Sequence, residues 1–459
     1  MMKSQYEPYF KDKKITAMGI GLLGRGTGDI DFMAECGAQI CATDLRSKAT
    51  LSESLKLLAH HKNISYTLDK HLVRDFKNRD LVIHAAGIPA HNKYLSLAQE
   101  SGSLVTMSFA YLVHILEQEK VPVTIIGVTG TKGKSTTTGL IEAVLKASGK
   151  RYHLAGNVRG IANLPLLKEI ESGDIILAEL DSWQLQGMHQ IKRSPHIAVF
   201  TNFFEDHMNY YAGSMKRYFM DKEAIFSYQK KGDVLILTNN ANNAIKTYSK
   251  TSIQSTKKFA RVRSLPAAWT YRIFGDHNEE NLAMAYEVGR SLEIPKRILK
   301  KALTEFGGVE GRFQYLGTSE KRELVFFNDN NSTTPGSTIT SLKSLKKRFP
   351  NKKIILIGGG ADKDFHYEAL SRYIARNIEF AFFFPGKATD KICELFPKQF
   401  KDFTRVLSMR TAFNLALREA DNGDIIVLSP GAASFGLFKN EYERNDQFIE
   451  RVRQYLRNS

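Results

Sequence analysis

An α/β fold in three domains is what this sequence predicts, and three observations carry the prediction. Short apolar runs alternate with helical segments, glycine-rich turns follow the runs that end near Gly19 and Gly127, and 459 residues exceed one ordinary core. The strand-like runs are residues 15–18, 40–43, 81–84, 123–128, 175–178, 198–201, 234–237, 353–357, 380–384 and 425–428. Most are followed closely by Gly, Ser, Thr, Asn or Asp, residues that turn a strand into a helix or carry ligand contacts. A charged EQEK stretch near residues 117–121 and the GGVEG run at 307–311 interrupt the pattern, which places the domains at 1–118, 119–309 and 310–459.

Composition narrows the function classes. Apolar residues make up 42% of the chain and are spread along it, so each third can bury its own core. Residues 1–14 alternate charged and aromatic side chains with no apolar signal region, and no run approaches the ~18 apolar residues a membrane span requires. A soluble, cytoplasmic protein is expected. Cys36, Cys41 and Cys393 form no CxxC pair or even framework, which suits a reducing compartment and buried, inert thiols. The formal charge of +17 admits a nucleic-acid partner, but the basic residues come as scattered pairs without a tail or arm. They read as solvated surface with local phosphate pockets, and small-molecule substrates and a monomer are the expectation.

In the first third, Gly19-Ile20-Gly21-Leu22-Leu23-Gly24 follows a strand, and Asp44 closes the next strand. That is the dinucleotide fingerprint of a Rossmann-like domain. It is a weak signal alone, and a nicotinamide dehydrogenase competes for it.

The central third carries the stronger signal. Residues 123–138 read as a β-branched strand, a glycine-rich turn GVTGTKGKST, and a helix with apolar positions at Leu140, Ile141, Val144 and Leu145. Glycines let backbone amides face phosphate oxygens, the helix start favours negative charge, Lys134 reaches the terminal phosphates, and the Ser135 or Thr136 hydroxyl binds Mg2+. The first glycine of the general phosphate-loop pattern falls on Val128, with Gly127 and Gly130 flanking it. An ATP-consuming enzyme follows. Downstream, Glu179 ends an apolar strand, where a carboxylate at a sheet edge can hold a hard cation with His207, which stands beside Asp206. Lys222 by itself reads as a surface cation on an amphipathic helix.

Further segments follow in order: Gly156-Asn157-Val158, Glu179-Leu180-Asp181-Ser182-Trp183-Gln184-Leu185, Thr201-Asn202 with Asp206-His207, Gly275-Asp276-His277-Asn278 with Asn281, Gly358-Gly359-Gly360 with Asp362-Lys363, and Ser429-Pro430-Gly431-Ala432-Ala433-Ser434-Phe435 with Phe438-Lys439-Asn440. With the phosphate loop, this series resembles the Mur ligases over almost the whole chain, and within them the branch that adds D-glutamate. The resemblance implies a Rossmann-like N-terminal domain for a UDP-muramoyl substrate, a central P-loop ATPase-like domain, and a Rossmann-like C-terminal domain for the amino acid. It implies ATP contacts at Gly130, Thr131, Lys132, Gly133, Lys134, Ser135, Thr136, Asn281, Arg312 and Asp329, and Mg2+ held by Ser135, Glu179, His207 and a carbamylated Lys222. Lys134, Lys222 and His207 are then the catalytic set. Gly21, Leu22, Leu23, Asp44, Arg46, Gly87 and Asn157 would meet the sugar nucleotide; Lys363, Ser434 and Phe435 would meet the amino acid.

The chain departs from the family pattern where the amino acid and nucleotide are expected. Gly311 replaces a histidine, Gln314 a glutamate and Asn331 a lysine, and Glu441 stands where an aromatic residue is common. A Mur-type ligase for another amino acid, a folylpolyglutamate-synthase-like enzyme and a non-catalytic, nucleotide-dependent nucleic-acid-binding protein are the competing readings.

Overall fold

Apolar strands alternating with helices close into parallel strand–helix–strand units, and in the computed structural model these units form three sheets. The structure describes residues 1–459 apart from Leu23, Ala90, Phe274 and Phe435, and apart from the side chain of Asp276. The first sheet contains β1 (Lys14–Met18), β2 (Gln39–Thr43), β3 (Ile64–Thr67), β4 (Leu81–His84) and β5 (Leu104–Thr106). Its order is β3-β2-β1-β4-β5, parallel throughout. The direction of winding reverses between β1 and β4, so the loops after these strands diverge and open a crevice.

The second sheet contains β6 (Thr124–Thr129), β7 (Tyr152–Gly156), β8 (Ile175–Glu179), β9 (Ile197–Phe200), β10 (Val234–Leu237) and β11 (Thr256–Phe259), in the order β11-β10-β9-β6-β8-β7. The third contains β12 (Gln314–Thr318), β13 (Val325–Asn328), β14 (Ile354–Gly359), β15 (Phe380–Phe384), β16 (Phe403–Arg405) and β17 (Ile425–Leu428), in the order β12-β13-β17-β14-β15-β16. Among the described residues, only the β12–β13 pair of named strands in these two sheets is antiparallel. The chain divides into two compact units, Met1–Ala267 with Glu280–Ala302, and Ala268–Glu279 with Leu303–Ser459. The first unit holds the first two sheets and the second unit holds the third.

Central strands are buried on both faces, which is why they read as continuous apolar runs: β8, β9, β14 and β17 are buried at every residue. The period of two sorts the third sheet into two cores. Phe327, Ile354, Leu356 and Val427 face one, and Phe326, Ile355, Ile357 and Leu428 face the other. Cys36 and Cys41 are buried and Cys393 half-buried, all as free thiols. No helix among the described residues is long and apolar enough to cross a membrane.

Within the first unit, several contacts join the first sheet's layer to the second, among them the following. Helix Ser108–Gln118 lies against helix Ser182–Ile191, where a Cβ on Gly187 would stand 3.1 Å from the Ala110 Cβ, so glycine lets the helices approach. Arg193 Nε pairs with the Glu117 carboxylate. Asp29, on helix Arg25–Glu35, accepts at Oδ1 from the amides of Asn163 (2.9 Å) and Leu164 (2.8 Å).

Burial raises the Asp29 carboxyl from 3.8 to about 6, against the pull of those amides and of Ser108. Because the folded value lies above the unfolded one, the stability linked to Asp29 is fully present below pH 3.8 and is lost as pH rises through 6. Asp29→Asn keeps an Oδ1 acceptor and removes the charge. Its melting temperature is expected to exceed that of the wild type by a margin that widens between pH 4 and 6 and then levels, a gain on the order of 1–3 kcal/mol. Melts across that pH range check it.

Candidate active site

β6 ends at Thr129, the loop turns through Gly130 and Gly133, and helix Lys134–Ser148 begins. Leu140, Ile141, Val144 and Leu145 are fully buried and fix that helix on the sheet. Gly130 has φ +147°, and a Cβ there would stand 1.8 Å from Thr201 Oγ1. Only glycine fits.

The segment after β9 holds the loop from outside. Thr201 Oγ1 donates to the Lys132 carbonyl (2.6 Å), the Lys132 amide donates to Asn202 Oδ1 (2.8 Å), and Thr131 Oγ1 donates to the Phe204 carbonyl (3.1 Å). The helix start then faces its first-turn amides and the positive end of its dipole toward the loop, the arrangement that binds phosphate. Ser135 and Thr136 are half-buried in that turn.

Lys134 Nζ donates to the carbonyls of Gly130 (2.9 Å) and Thr131 (3.1 Å). Lys222, on helix Met215–Glu223, is 1% exposed; its Nζ donates to the same Gly130 carbonyl (3.0 Å) and to Thr129 Oγ1 (3.4 Å), 5.0 Å from the Tyr218 ring centre. Burial first, and the Lys134 charge second, hold the Lys222 amine well below its ordinary value. The structure thus excludes the surface-cation reading of Lys222.

Around this core, Glu179 ends β8 in register with Val128 and is buried. His207 has φ +54° and its ring lies 4.8 Å from that of Trp183, while Asp206 pairs with Lys132 at 3.6 Å. Asn281 Oδ1 accepts from Thr137 Oγ1 at 3.1 Å, against the phosphate-loop helix.

The turn after β1 opens onto a cavity of about 400 Å³, lined by Gly21, Leu22, Arg46 and Gly87 among others. Asp44 stands behind that lining. Its Oδ2 accepts from the amides of Ile20 (3.0 Å) and Gly21 (3.4 Å), and its Oδ1 from the Arg46 amide (3.0 Å), so its carboxylate shapes the glycine turn. Asn157 follows β7, and its Oδ1 accepts from Arg25, which lines the cavity. Leu23 and Phe435 lie outside the described residues.

In the second unit, Asp329 is buried and accepts from the Phe313 amide at Oδ1 (3.1 Å) and from Ser429 Oγ at Oδ2 (2.8 Å). Burial raises its carboxyl to about 6. Ser434 is also buried, while Arg312 and Lys363 are exposed. Asp362 organises the loop that carries Lys363: it accepts from Tyr367 and pairs with Lys391, which holds its carboxyl down at about 2.

The residues that depart from the family pattern are neighbours. The Asn331 amide donates to the Gly311 carbonyl (2.8 Å), the Gly311 amide donates to Gln314 Oε1 (3.4 Å), and Asn330 Nδ2 donates to the Glu441 carbonyl (2.9 Å). Beneath them lies Arg444, fully buried, which sequence reasoning missed. Its guanidinium donates to Asn330 Oδ1 (2.8 Å), the Asn330 carbonyl (3.0 Å) and the Ala432 carbonyl (3.4 Å), and burial lowers it to about 10. The signal available was an arginine five residues past Lys439, in a helix otherwise rich in surface charge.

A phosphate loop at the C-terminal end of a central parallel strand, with a cavity of about 400 Å³ in the same unit, marks a nucleotide-dependent enzyme. The chain matches the Mur ligase middle domain over residues 128–288 and the Mur ligase glutamate ligase domain over residues 311–431. It is 31% identical to the UDP-N-acetylmuramoylalanine–D-glutamate ligase of Borreliella burgdorferi (strain ZS7), covering 95% of this chain and 97% of that protein. It is 30% identical to the enzyme of that name from Acetivibrio thermocellus, covering 98% of each. The chain therefore belongs to the Mur ligase family, ATP-dependent amide-bond ligases. Two solved structures share the fold: the UDP-N-acetylmuramate–alanine ligase of Thermotoga maritima (TM-score 0.58, 18% identity, 96% of this chain and 99% of that one) and the MurF ligase of the same organism in complex with ADP (TM-score 0.57, 17% identity, 98% and 97%).

Gly130→Ala is expected to abolish MgATP binding in calorimetry, because the added Cβ displaces Thr201 from the loop. Gly149→Ala, at the far end of the same helix where a Cβ meets open space at φ +69°, is expected to cost about 1 kcal/mol of stability and leave binding intact.

Proposed function

We propose that the protein adds D-glutamate to UDP-N-acetylmuramoyl-L-alanine through an acyl phosphate, in the cytoplasmic synthesis of peptidoglycan precursors. The pairing of Lys134 and Lys222 on the Gly130 carbonyl carries the phosphoryl-transfer half of this reading. The names of relatives that span nearly the whole chain support the substrates.

Lys134 leaves the loop carbonyls to meet the terminal phosphates. Burial and the neighbouring Lys134 favour the neutral form of the Lys222 amine, and the neutral amine can add to CO2: the nitrogen lone pair forms the N–C bond, a proton leaves, and a carbamate anion replaces the amine. The donors Ser135, Glu179, His207 and that carbamate are mostly hard oxygens, which fit Mg2+. Bound there, Mg2+ would offset charge on the ATP phosphates.

The acceptor's carboxylate oxygen attacks the γ-phosphorus and ADP leaves. The amino acid's nitrogen then attacks the acyl carbon, phosphate leaves, and the amine proton is lost. Gly21, Leu22, Arg46, Gly87 and Asn157 hold the sugar nucleotide, with Asp44 fixing the glycine turn. Asn281, Arg312 and Asp329 serve ATP, and Lys363 and Ser434 serve the amino acid.

Phosphate release from MgATP is expected to require both the UDP-muramoyl acceptor and D-glutamate, and Lys134→Ala is expected to abolish it. Without amino acid, hydroxylamine should trap the acyl phosphate as a hydroxamate. Release that prefers another amino acid overturns the D-glutamate assignment and keeps the ligase; release with no acceptor tested overturns both.

Arg444 places a buried positive charge beside the loop that carries the neutral Asn331. Arg444→Met is expected to raise the D-glutamate KM severalfold by unseating the Asn330 loop that Arg444 holds, with the MgATP KM within about twofold. Adding Asn331→Lys to that variant should recover part of the loss in steady-state assays.

A further inference from the structure

Away from the phosphate loop, the first unit brings three ligand-type side chains together from two elements. Asp31 lies on helix Arg25–Glu35, and His60 and His61 follow helix Ser52–Leu58 by one turn residue. His61 Nε2 is 2.8 Å from Asp31 Oδ1, and His60 Nε2 is 3.5 Å from the same oxygen. All three ligand atoms lie within 4.8 Å of one another, and the two imidazole centres are 3.9 Å apart. Among the described residues this is the one such convergence of His, Cys, Asp or Glu groups.

The spacing suits a metal. Bonds of ~2.0–2.1 Å in a tetrahedron put neighbouring ligand atoms roughly 3.4 Å apart. The two observed separations bracket that value, so an ion enters by opening the His61–Asp31 contact by about half an ångström. A carboxylate oxygen only accepts hydrogen bonds, so without a cation each Nε2 must carry a proton to face it; with a cation each offers its lone pair. The His61 side chain is 9% exposed, which anchors one ligand in packing, whereas Asp31 at 37% and His60 at 62% stay open to solvent and to the ion's entry.

We propose that Asp31, His60 and His61 bind one divalent first-row transition ion of the zinc type, with water completing the coordination. Two imidazoles and one carboxylate favour such a borderline ion over Mg2+ or Ca2+, which prefer all-oxygen shells. The ion ties together two helices that border the glycine turn: Ser54, on the second, donates to the Gly21 carbonyl at 2.8 Å, and Arg25, at the start of the first, lines the cavity. Binding therefore stiffens the rim of that cavity, and the site stands whether or not the substrate assignment above holds.

The test uses the full chain without an affinity tag, in saturating Mg2+, titrated with Zn2+ by calorimetry and with Co2+ by visible absorption. Wild type is expected to bind one Zn2+ at micromolar or tighter Kd, to show the intense visible bands of tetrahedral Co2+, and to melt higher with Zn2+. Asp31→Asn and His60→Ala, both at partly exposed positions, are expected to weaken Zn2+ binding at least tenfold and to lose the shift in melting temperature. His61→Ala should do the same, but it opens a packed position, so the other two variants decide. Undiminished Zn2+ binding in those two variants, or no Zn2+-dependent change in wild type, overturns the proposal.

Discussion

The carbonyl of Gly130 is the point on which the central layer depends. It accepts from both Lys134 and Lys222, and its residue can be only glycine because Thr201 occupies the space of a side chain. Thr201 is held there for a reason: its hydroxyl closes on the Lys132 carbonyl and fixes the loop's second half. The path of the loop, the position of two lysine amines and the junction of β6 with β9 are therefore one constraint.

Two amines sharing one carbonyl in a buried place cannot both be comfortably charged. Lys134 is half-buried and Lys222 fully buried, so the conflict falls on Lys222. Such a centre is relieved by bringing negative charge: phosphate at the helix start and a carboxylate or carbamate at the buried amine. Glu179 adds a buried carboxylate at the strand end beside β6.

Much of this was legible in the sequence, and what was missed has a physical pattern. The apolar runs that became β1, β2, β4, β6, β8, β9, β10, β14, β15 and β17 are largely interior strands, whose two covered faces force continuous apolar residues. Of the strands that went unread, β3, β5, β7, β11, β12 and β16 are the sheet edges, where polar or exposed residues resemble loop, whereas β13 (Val325–Asn328) is interior and buried at every residue and was missed all the same. The phosphate loop was visible because glycine, lysine and hydroxyl positions are fixed by local geometry. The engagement of Asp44 with the Ile20 and Gly21 amides and the burial of Arg444 were not visible, since both depend on partners far away in the chain.

The departures around the C-terminal loops are better understood as one coupled change than as separate losses. Gly311, Gln314, Asn330 and Asn331 form a hydrogen-bonded cluster, and a Cβ on Gly311 would press within 3.2 Å of Asn331 Oδ1, so a side chain at 311 and the present Asn331 compete for space. Arg444 underlies the cluster and ties the loop after β13 to the loop after β17 through Asn330 and Ala432. A buried guanidinium bonded to neutral acceptors keeps its full charge in a medium of low polarity, where its field reaches farther than a solvated lysine's would. The cluster thus has a buried cation beneath it, held by three acceptors, where Asn331 itself is neutral.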